Sequence, residues 1–181
     1  MLDPRVQLIS VLGAECTGKS TLCPALATAE NGRWLAEYVR EFCALHDRPP
    51  RQDEQALVAA EQIRRELIAA RESGRVFVDS SPLMSAIYSV HYFDDRSLLE
   101  PALAHQRSYA ATLVCDTDLP WIADGLQRDS ATVRMRCQGL LLEALQRARI
   151  DYTLVGGDLA TRIATARAHL AALDPISSAP R

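Results

Sequence analysis

The chain has 181 residues, a length that suits one domain with a sizeable buried core. Its 48% hydrophobic and 24% charged residues are typical of a globular protein, and a formal net charge of -3 gives no electrostatic footprint for nucleic acid. The five cysteines are odd in number and widely spaced, which argues against a disulfide framework or a zinc site and favours a reducing compartment. No apolar run approaches the roughly 18 residues of a membrane span, so we expect a cytoplasmic protein without a membrane or nucleic-acid partner.

Short β-rich runs alternate with helical patterns along the chain, which predicts an α/β fold with a parallel sheet and helices on both faces. The predicted strands cover residues 6–12, 33–37, 76–78, 113–115 and 152–155. The predicted helices cover 19–29, 38–46, 53–72, most of 82–109, 131–148 and 159–173. We therefore expect a single domain over residues 1–173, followed by a disordered tail over 174–181.

The helix predicted over 53–72 carries an apolar stripe with the spacing of an amphipathic helix. The stripe consists of Leu57, Ala60, Ile63, Leu67 and Ala70. The acidic pair Asp53-Glu54 precedes it and follows a loop rather than a strand. We therefore interpret this pair as the solvated first turn of the helix and not as a catalytic pair.

A phosphate-binding loop follows the first predicted strand, because residues 13–20 fit the pattern G-x-x-x-x-G-K-[ST] between a β-rich run and a helical pattern. Glycines allow backbone N–H groups to converge on phosphates, and the helix N-terminus adds partial positive charge. The pattern predicts a P-loop fold, a three-layer sandwich, in which Lys19 reaches the β- and γ-phosphates and Ser20 binds Mg²⁺. The predicted nucleotide-binding residues are Gly13, Ala14, Glu15, Cys16, Thr17, Gly18, Lys19, Ser20 and Thr21.

The lysine of this loop belongs to a residue type that is very rare in this chain. Among the 20 Lys and Arg residues of the chain, Lys19 is the only lysine. A high-GC genome explains why lysine is scarce, but it does not explain where the one lysine lies. A compact ammonium on a flexible stem fits a narrow phosphate loop, whereas a planar guanidinium does not. The position of Lys19 therefore supports a functional loop.

A second metal ligand is expected at the end of a neighbouring strand. Asp79 directly follows the third predicted strand and is the first choice, while Asp116 follows the fourth strand and is the alternative. Asp79 could instead cap the next helix, because Asp is a good N-cap residue.

Three classes of P-loop protein remain to be distinguished. A GTPase needs Asn-Lys-x-Asp, which is impossible here because Asn31 is the only asparagine and Lys19 the only lysine. A mechanical ATPase usually has a carboxylate beside the metal aspartate, where this chain has Ser80 and Ser81. A small-molecule kinase needs mainly positioning and charge neutralisation, with an arginine-bearing lid before the last strand. The chain carries Arg128, Arg134 and Arg136 in that region.

With these residues placed, the sequence resembles the kinase domain of NadR-type nicotinamide riboside kinases over nearly its whole length. The resemblance rests on the P-loop, on E-Y-x-R-E after the second strand, on VFVDSS at the third strand, on D-x-P-W-x-x-D-G before the lid, and on the fifth strand with its glycines. It implies ATP, Mg²⁺ and transfer of the γ-phosphate to the ribose 5′-hydroxyl of a nucleoside. It implies acceptor-side roles for Glu37, Tyr38, Arg40, Asp79, Trp121 and Asp124, and catalytic roles for Lys19, Glu37, Asp79 and Arg128.

The chain departs from the family pattern in three places. It begins a few residues before its P-loop strand, so we expect no adenylyltransferase activity. It has Asp79-Ser80-Ser81 where the family has Asp-Thr-Asp, and Gln127 displaces the usual arginine, leaving Arg128 as its substitute. A kinase for another nucleoside or small hydroxyl compound, or an ATPase module acting on a partner protein, therefore remain alternatives. The oligomeric state is not predicted.

Overall fold

A computed structural model describes residues 6–72, 74–122 and 130–173 of the chain. The chain is built around a parallel sheet. The strands are β1 (Val6–Leu12), β2 (Arg33–Leu35), β3 (Gly74–Asp79), β4 (Ala111–Cys115) and β5 (Thr153–Val155). They pair in parallel in the order β2-β3-β1-β4-β5. The predicted five-stranded parallel sheet is confirmed. The predicted tail over 174–181 lies outside the described residues.

Helices connect these strands and cover both faces of the sheet. They are α1 (Lys19–Ala29), α2 (Tyr38–His46), α3 (Gln55–Ala69), α4 (Pro82–Phe93), α5 (Leu99–Gln106), α6 (Ala131–Arg147) and α7 (Leu159–Leu170). Local chemistry sets several of their starts, since the side chains of Ser81, Ser130 and Asp158 each cap the helix that follows. Within the described ranges, no helix combines the length and the apolar composition that a membrane crossing requires.

Two hydrophobic clusters sandwich the central strand β1. On one face, Ile9 and Val11 pack with Leu22 and Leu26 of α1 and with α7. On the other face, Leu12 packs with α4, α5 and α6. A strand that is covered on both sides needs a continuous apolar run rather than an alternating one, which explains the VQLISVL sequence of β1.

Helix α3 corrects the prediction made from its apolar stripe. Leu57 and Leu67 of that stripe are 59% and 54% exposed, so they do not pack against the sheet. The buried positions of α3 include Val58, Gln62 and Glu66. A polar face can be buried when its groups are paired by hydrogen bonds, and Gln62 and Glu66 are paired in this way, as described below.

Candidate active site

The carboxyl ends of the three central strands meet at one edge of the sheet. In the strand register, Val11 of β1 lies beside Asp79 of β3, and Leu12 lies beside Val114 of β4. Gly13 continues directly from β1, so the phosphate loop emerges between the ends of β3 and β4. In parallel α/β sheets, ligands bind at this edge.

The backbone of the phosphate loop depends on its two glycines. Gly13 has φ 140° and Gly18 has φ 86°, both in the region that side chains disfavour. A Cβ atom at Gly13 would lie 2.7 Å from Thr17 Oγ1 and 3.0 Å from the carbonyl oxygen of Cys115. Gly18 is the N-cap of α1, so the loop ends where the helix begins. The helix N-terminus therefore faces the space above the loop, where it favours an anion.

The side chain of Lys19 reaches back to the first residues of the phosphate loop. It is only 5% exposed, and its Nζ donates to the carbonyl oxygens of Gly13 at 2.8 Å and Ala14 at 2.9 Å. The Thr17 hydroxyl also donates to Ala14, at 2.8 Å. The ammonium is thus held at the loop, while the next residue, Ser20, is exposed in the first turn of α1.

A glutamine of α6 supports the loop from behind. Gln138 is 5% exposed, accepts from the backbone N–H of Ala14 at 2.9 Å and donates to the carbonyl oxygen of Cys115 at 3.0 Å. It therefore ties the first residues of the loop to the end of β4. Gln138 was not predicted from the sequence, because it lies 124 residues from Ala14 and belongs to no local motif.

An arginine of α7 supports the loop from the side. Arg162 is 2% exposed and donates to the carbonyl oxygens of Thr17 and Gly157, both at 2.8 Å. It also forms an ion pair with Asp118, in the segment after β4. Arg162 therefore joins the phosphate loop to the segments that follow β4 and β5, and it too was missed from the sequence.

The structure changes the interpretation of the predicted lid arginines. Arg134 is buried, and its guanidinium donates to backbone carbonyls of Cys16 at 3.3 Å, Leu119 at 2.9 Å and Thr117 at 2.7 Å. It therefore holds the phosphate loop against the segment after β4 in this structure. Arg136 is exposed on α6. Arg128 and Asp124 lie outside the described residues.

Asp79 lies at the end of β3 with an unsatisfied carboxylate oxygen. It is 1% exposed, and its Oδ1 is buried without a hydrogen-bond partner among the described residues. The next residue, Ser80, has φ 64°, a strained backbone conformation for a side chain with a Cβ. The alternative role of Asp79 as a helix cap is wrong, because Ser81 caps α4.

The carboxylate of Asp116, the alternative metal ligand, accepts a hydrogen bond within the protein. It follows β4, is only partly buried, and its Oδ1 accepts from the backbone N–H of Thr117 at 2.7 Å. Its side chain also lies against Gly156, where an added Cβ atom would be 3.5 Å from Oδ2. Asp116 therefore stabilises the turn beside β5, and the unsatisfied oxygen belongs to Asp79.

Glu37 lies at the same edge of the sheet as Asp79. It is between β2 and α2, and β2 pairs with the strand that Asp79 ends. It is the N-cap residue of α2, but its side chain makes no capping hydrogen bond. Its carboxylate lies 3.3 Å from Arg40 Nε, and its side chain is 13% exposed. Burial raises the pKa of Glu37 above its ordinary value, the Asp79 carboxylate adds to this, and the nearby cations of Lys19 and Arg40 oppose it.

A cavity of about 370 Å³ adjoins the phosphate loop, and Glu37 is one of its lining residues. Its charged lining consists of Glu15, Lys19, Glu37 and Arg40. The remaining lining comes from α2, the loop before α3, the first residue of α3, and α4: Val39, Cys43, Pro49, Pro50, Gln55, Ser85, Tyr88, Tyr92 and Phe93. The cavity thus brings two glutamates, three aromatic residues and the lysine of the phosphate loop into one lining.

The aromatic wall was not predicted from the sequence. Tyr88 and Tyr92 are one helical turn apart on α4, and their rings stack with centroids 6.2 Å apart. Burial raises the pKa of the Tyr88 hydroxyl well above its ordinary value, and the Glu37 carboxylate adds to this, so the hydroxyl remains a hydrogen-bond donor. The Y-x-x-x-Y spacing was the available signal, but such a pair is equally typical of core packing.

Two predicted acceptor residues contact protein groups instead of lining the cavity. The ring of Tyr38 lies under the guanidinium of Arg65, 4.4 Å from its centroid. Trp121 donates from Nε1 to Glu15 Oε1 at 3.2 Å, so it connects the segment after β4 to a cavity residue. Direct contact of Tyr38 or Trp121 with an acceptor stays a prediction.

The chain is similar to known proteins in both sequence and fold. The trifunctional NAD biosynthesis/regulator protein NadR of Salmonella typhimurium is 28% identical over 159 residues, which are 83% of this chain and 38% of that protein. The chain therefore spans well under half the length of this relative. A crystal structure of NadR in complex with NR has a TM-score of 0.79 at 20% identity, covering 96% of this chain and 55% of that chain. A second, in complex with NAD and AMP-PNP, has a TM-score of 0.74 at 22% identity, covering 92% and 50%.

These likenesses confirm the resemblance to NadR that the motifs predicted, and they confirm the P-loop fold. A family profile described as an AAA domain matches residues 8–162, which include the phosphate loop, Glu37, Asp79 and Arg162. This match covers most of the chain, and the chain therefore belongs to the AAA domain family.

Proposed function

We propose that this chain is an ATP- and Mg²⁺-dependent kinase that transfers the γ-phosphate to the ribose 5′-hydroxyl of nicotinamide riboside or a similar nucleoside. The observation that carries the proposal is the cavity that Lys19 shares with Glu37. A phosphate loop alone serves many NTPases, but a cavity beside that loop with Glu37 in its lining is suited to an acceptor molecule.

The nucleotide side of the proposal rests on the phosphate loop. Lys19 lies at the loop with its ammonium 2.8 Å from the nearest carbonyl oxygen, and the N-terminus of α1 faces the same space. Both favour a polyphosphate. A NadR crystal structure contains AMP-PNP, which supports ATP as the phosphate donor for this chain.

The residues at the sheet edge fit a magnesium ion. Oxygen ligands suit Mg²⁺, which is usually held by one or two carboxylates or hydroxyls together with substrate phosphates. Asp79 offers a buried carboxylate oxygen without a hydrogen bond, and Ser20 offers an exposed hydroxyl in the first turn of α1. When bound, the ion would neutralise phosphate charge as it develops in the transfer.

The acceptor side of the proposal rests on Glu37. A carboxylate that makes no capping bond is available to hold the acceptor hydroxyl and to take its proton as the phosphoryl group is transferred. The raised pKa of Glu37 suits this role, because it makes the carboxylate a better base. Glu15 and the rings of Tyr88 and Tyr92 favour a cationic aromatic ring, such as the pyridinium of nicotinamide riboside, over a neutral base.

ATP hydrolysis is the competing activity, because the family description is that of an AAA domain. Ser80 and Ser81 follow Asp79 at the end of β3, so the position beside the proposed metal ligand offers no carboxylate to orient a water molecule. The proposal therefore favours a hydroxyl of the acceptor over water as the attacking group.

The first prediction concerns the phosphate loop. Gly13→Ala should weaken ATP binding about 10- to 100-fold, because the new Cβ meets Thr17 and strains a left-handed backbone by roughly 1 to 3 kcal/mol. The matched control is Gly139→Ala on α6, where an added Cβ meets no atom within 4 Å. Binding of a fluorescent ATP analogue measures both. Equal affinities for the two variants would contradict the role of Gly13.

The second prediction separates the two candidate metal ligands. Asp79→Asn should raise the Mg²⁺ concentration needed for half-maximal turnover while leaving the folded state intact, because an amide keeps the size of the side chain but loses its charge. Asp116→Asn should have a smaller effect, because its oxygen already accepts from Thr117. Turnover titrated against Mg²⁺, with circular dichroism as the folding control, tests this. The reverse order would assign the metal to Asp116.

The third prediction tests the reaction itself. Glu37→Gln should abolish formation of the mononucleotide from nicotinamide riboside and ATP, measured by mass spectrometry, and leave ATP affinity unchanged. As the pH decreases, the wild-type rate should begin to fall at a higher pH than it would with an ordinary glutamate as the base. The reason is that a carboxylate with a raised pKa is protonated at a higher pH, and protonation removes the base. Near wild-type transfer by Glu37→Gln would mean that Glu37 forms only a surface pair with Arg40.

A further inference from the structure

The buried face of α3 contains two polar residues, whereas Leu57 and Leu67 of the expected apolar stripe are exposed. Gln62 is 4% exposed and Glu66 is fully buried, one helical turn further along. Burying an amide and a carboxyl group costs several kcal/mol unless both are hydrogen-bonded. Their partners therefore indicate what this face does.

Gln62 binds the start of α2. Its Oε1 accepts from the backbone N–H of Tyr38 at 3.0 Å, and its Nε2 donates to Glu66 Oε1 at 3.4 Å. Tyr38 is the first residue of α2, and a helix leaves its first backbone N–H groups without internal partners. Gln62 satisfies one of these groups from a neighbouring helix.

Glu66 determines which way the Gln62 amide points. Its Oε2 accepts from the Tyr109 hydroxyl at 2.9 Å and lies 2.8 Å from His105 Nε2. A carboxylate offers only acceptor oxygens, so the Gln62 side chain must present its NH₂ group to Glu66. The carbonyl oxygen of that amide is then directed to Tyr38, and the reverse orientation would place two donors together.

The bond to Tyr38 fixes the residue immediately before it. Glu37 is the N-cap of α2, yet its own side chain makes no capping bond. If α2 is anchored by Gln62, the carboxylate of Glu37 is not needed at the helix end and can lie on the cavity wall. The bonded N–H belongs to the peptide unit that joins Glu37 to Tyr38, so the anchor point is directly next to Glu37.

We propose that Gln62, oriented by Glu66, is a positioning residue that holds Glu37 at the acceptor hydroxyl. This inference rests on the proposed kinase function and adds to it. Gln62 touches neither substrate nor phosphate in this scheme. It acts through the backbone of Tyr38, so its loss should affect phosphoryl transfer and not the binding of ATP.

The direct test is Gln62→Met, which keeps the length of the side chain and removes the amide. We expect the kcat of transfer to nicotinamide riboside to fall roughly 10-fold or more, because small displacements of a reacting group are costly. The dissociation constant for ATP should stay unchanged, and the Tyr38 amide should exchange faster with deuterium in NMR spectra. The matched control is Tyr109→Phe, which also removes one buried hydrogen bond to Glu66 but leaves Gln62 in place. It should leave kcat near the wild-type value.

A swapped pair provides a rescue that a general loss of stability would not give. Gln62→Glu alone places two carboxylates together in the interior and should reduce kcat at least as much as Gln62→Met. The double variant Gln62→Glu with Glu66→Gln exchanges the two groups, so that an acceptor again faces Tyr38 and a donor lies between the side chains. Its kcat should recover toward the wild-type value. If Gln62→Met does not fold, the kcat of this double variant compared with that of Gln62→Glu still tests the positioning role of Gln62.

The outcomes distinguish the inference from the proposed function. A wild-type protein without acceptor-dependent turnover would contradict both. Normal wild-type turnover together with an unchanged kcat in folded Gln62→Met would contradict the positioning role alone. An equal loss of kcat in Tyr109→Phe, or a swapped pair no better than Gln62→Glu, would also overturn it, because each would indicate a loss of stability instead.

Discussion

The phosphate loop can bind an anion only if its N–H groups face the ligand, and this requires its carbonyl groups to be held on the other side. In this chain, cationic side chains hold them. Lys19 binds the carbonyls of Gly13 and Ala14, Arg134 binds that of Cys16, and Arg162 binds that of Thr17. These three residues come from α1, α6 and α7, so the shape of the loop depends on the packing of helices from both faces of the sheet. The same cations give a positive site in a chain with a net charge of -3.

The acceptor side depends on a second set of polar contacts, of which the Arg48–Glu54 pair is partly exposed and the Gln62 contacts are buried. Arg48 forms two hydrogen bonds with Glu54, at 2.6 and 2.7 Å, which hold the loop that contributes Pro49 and Pro50 to the cavity. The Arg48 hydrogen bonds lower the pKa of Glu54 to about 2, and the backbone N–H of Arg51 contributes to this. Gln62 holds the start of α2. Polar groups inside a protein favour one arrangement over its alternatives, because any other arrangement leaves them unpaired. These contacts thereby hold the loop before α3 and the start of α2, next to which the cavity lies.

Much of this could be predicted from the sequence where local chemistry decides the outcome. Strand β1, the phosphate loop and the start of α1 follow from an apolar run, two glycines and one lysine within 20 residues of the N-terminus. Asp79 could be placed because it directly follows a buried strand. The NadR resemblance correctly indicated the fold, since its motifs mark the ends of successive strands.

The rest could not be predicted, because it depends on contacts between distant parts of the chain. Gln138, Arg134 and Arg162 contact the phosphate loop from 124, 118 and 145 residues away. Nothing near Gln138 and Arg162 in the sequence distinguishes them from solvated helix residues, and Arg134 was expected in the lid and not at the backbone of the loop. The stripe on α3 was misleading for a related reason: hydrophobic spacing identifies a face, but the neighbours of a helix decide which face is buried. Here Tyr38, His105 and Tyr109 supply partners for Gln62 and Glu66, so the polar face lies inside.

The central claim is that ATP bound at this phosphate loop transfers its γ-phosphoryl group to the hydroxyl of a second bound compound. ADP release from ATP-Mg²⁺, measured with and without nicotinamide riboside and with a panel of other nucleosides, tests it most directly. The account predicts slow release from ATP alone and a strong increase with an acceptor, greatest for nicotinamide riboside among common nucleosides. Rapid ADP release that no nucleoside changes would contradict it and would identify the chain as an ATPase.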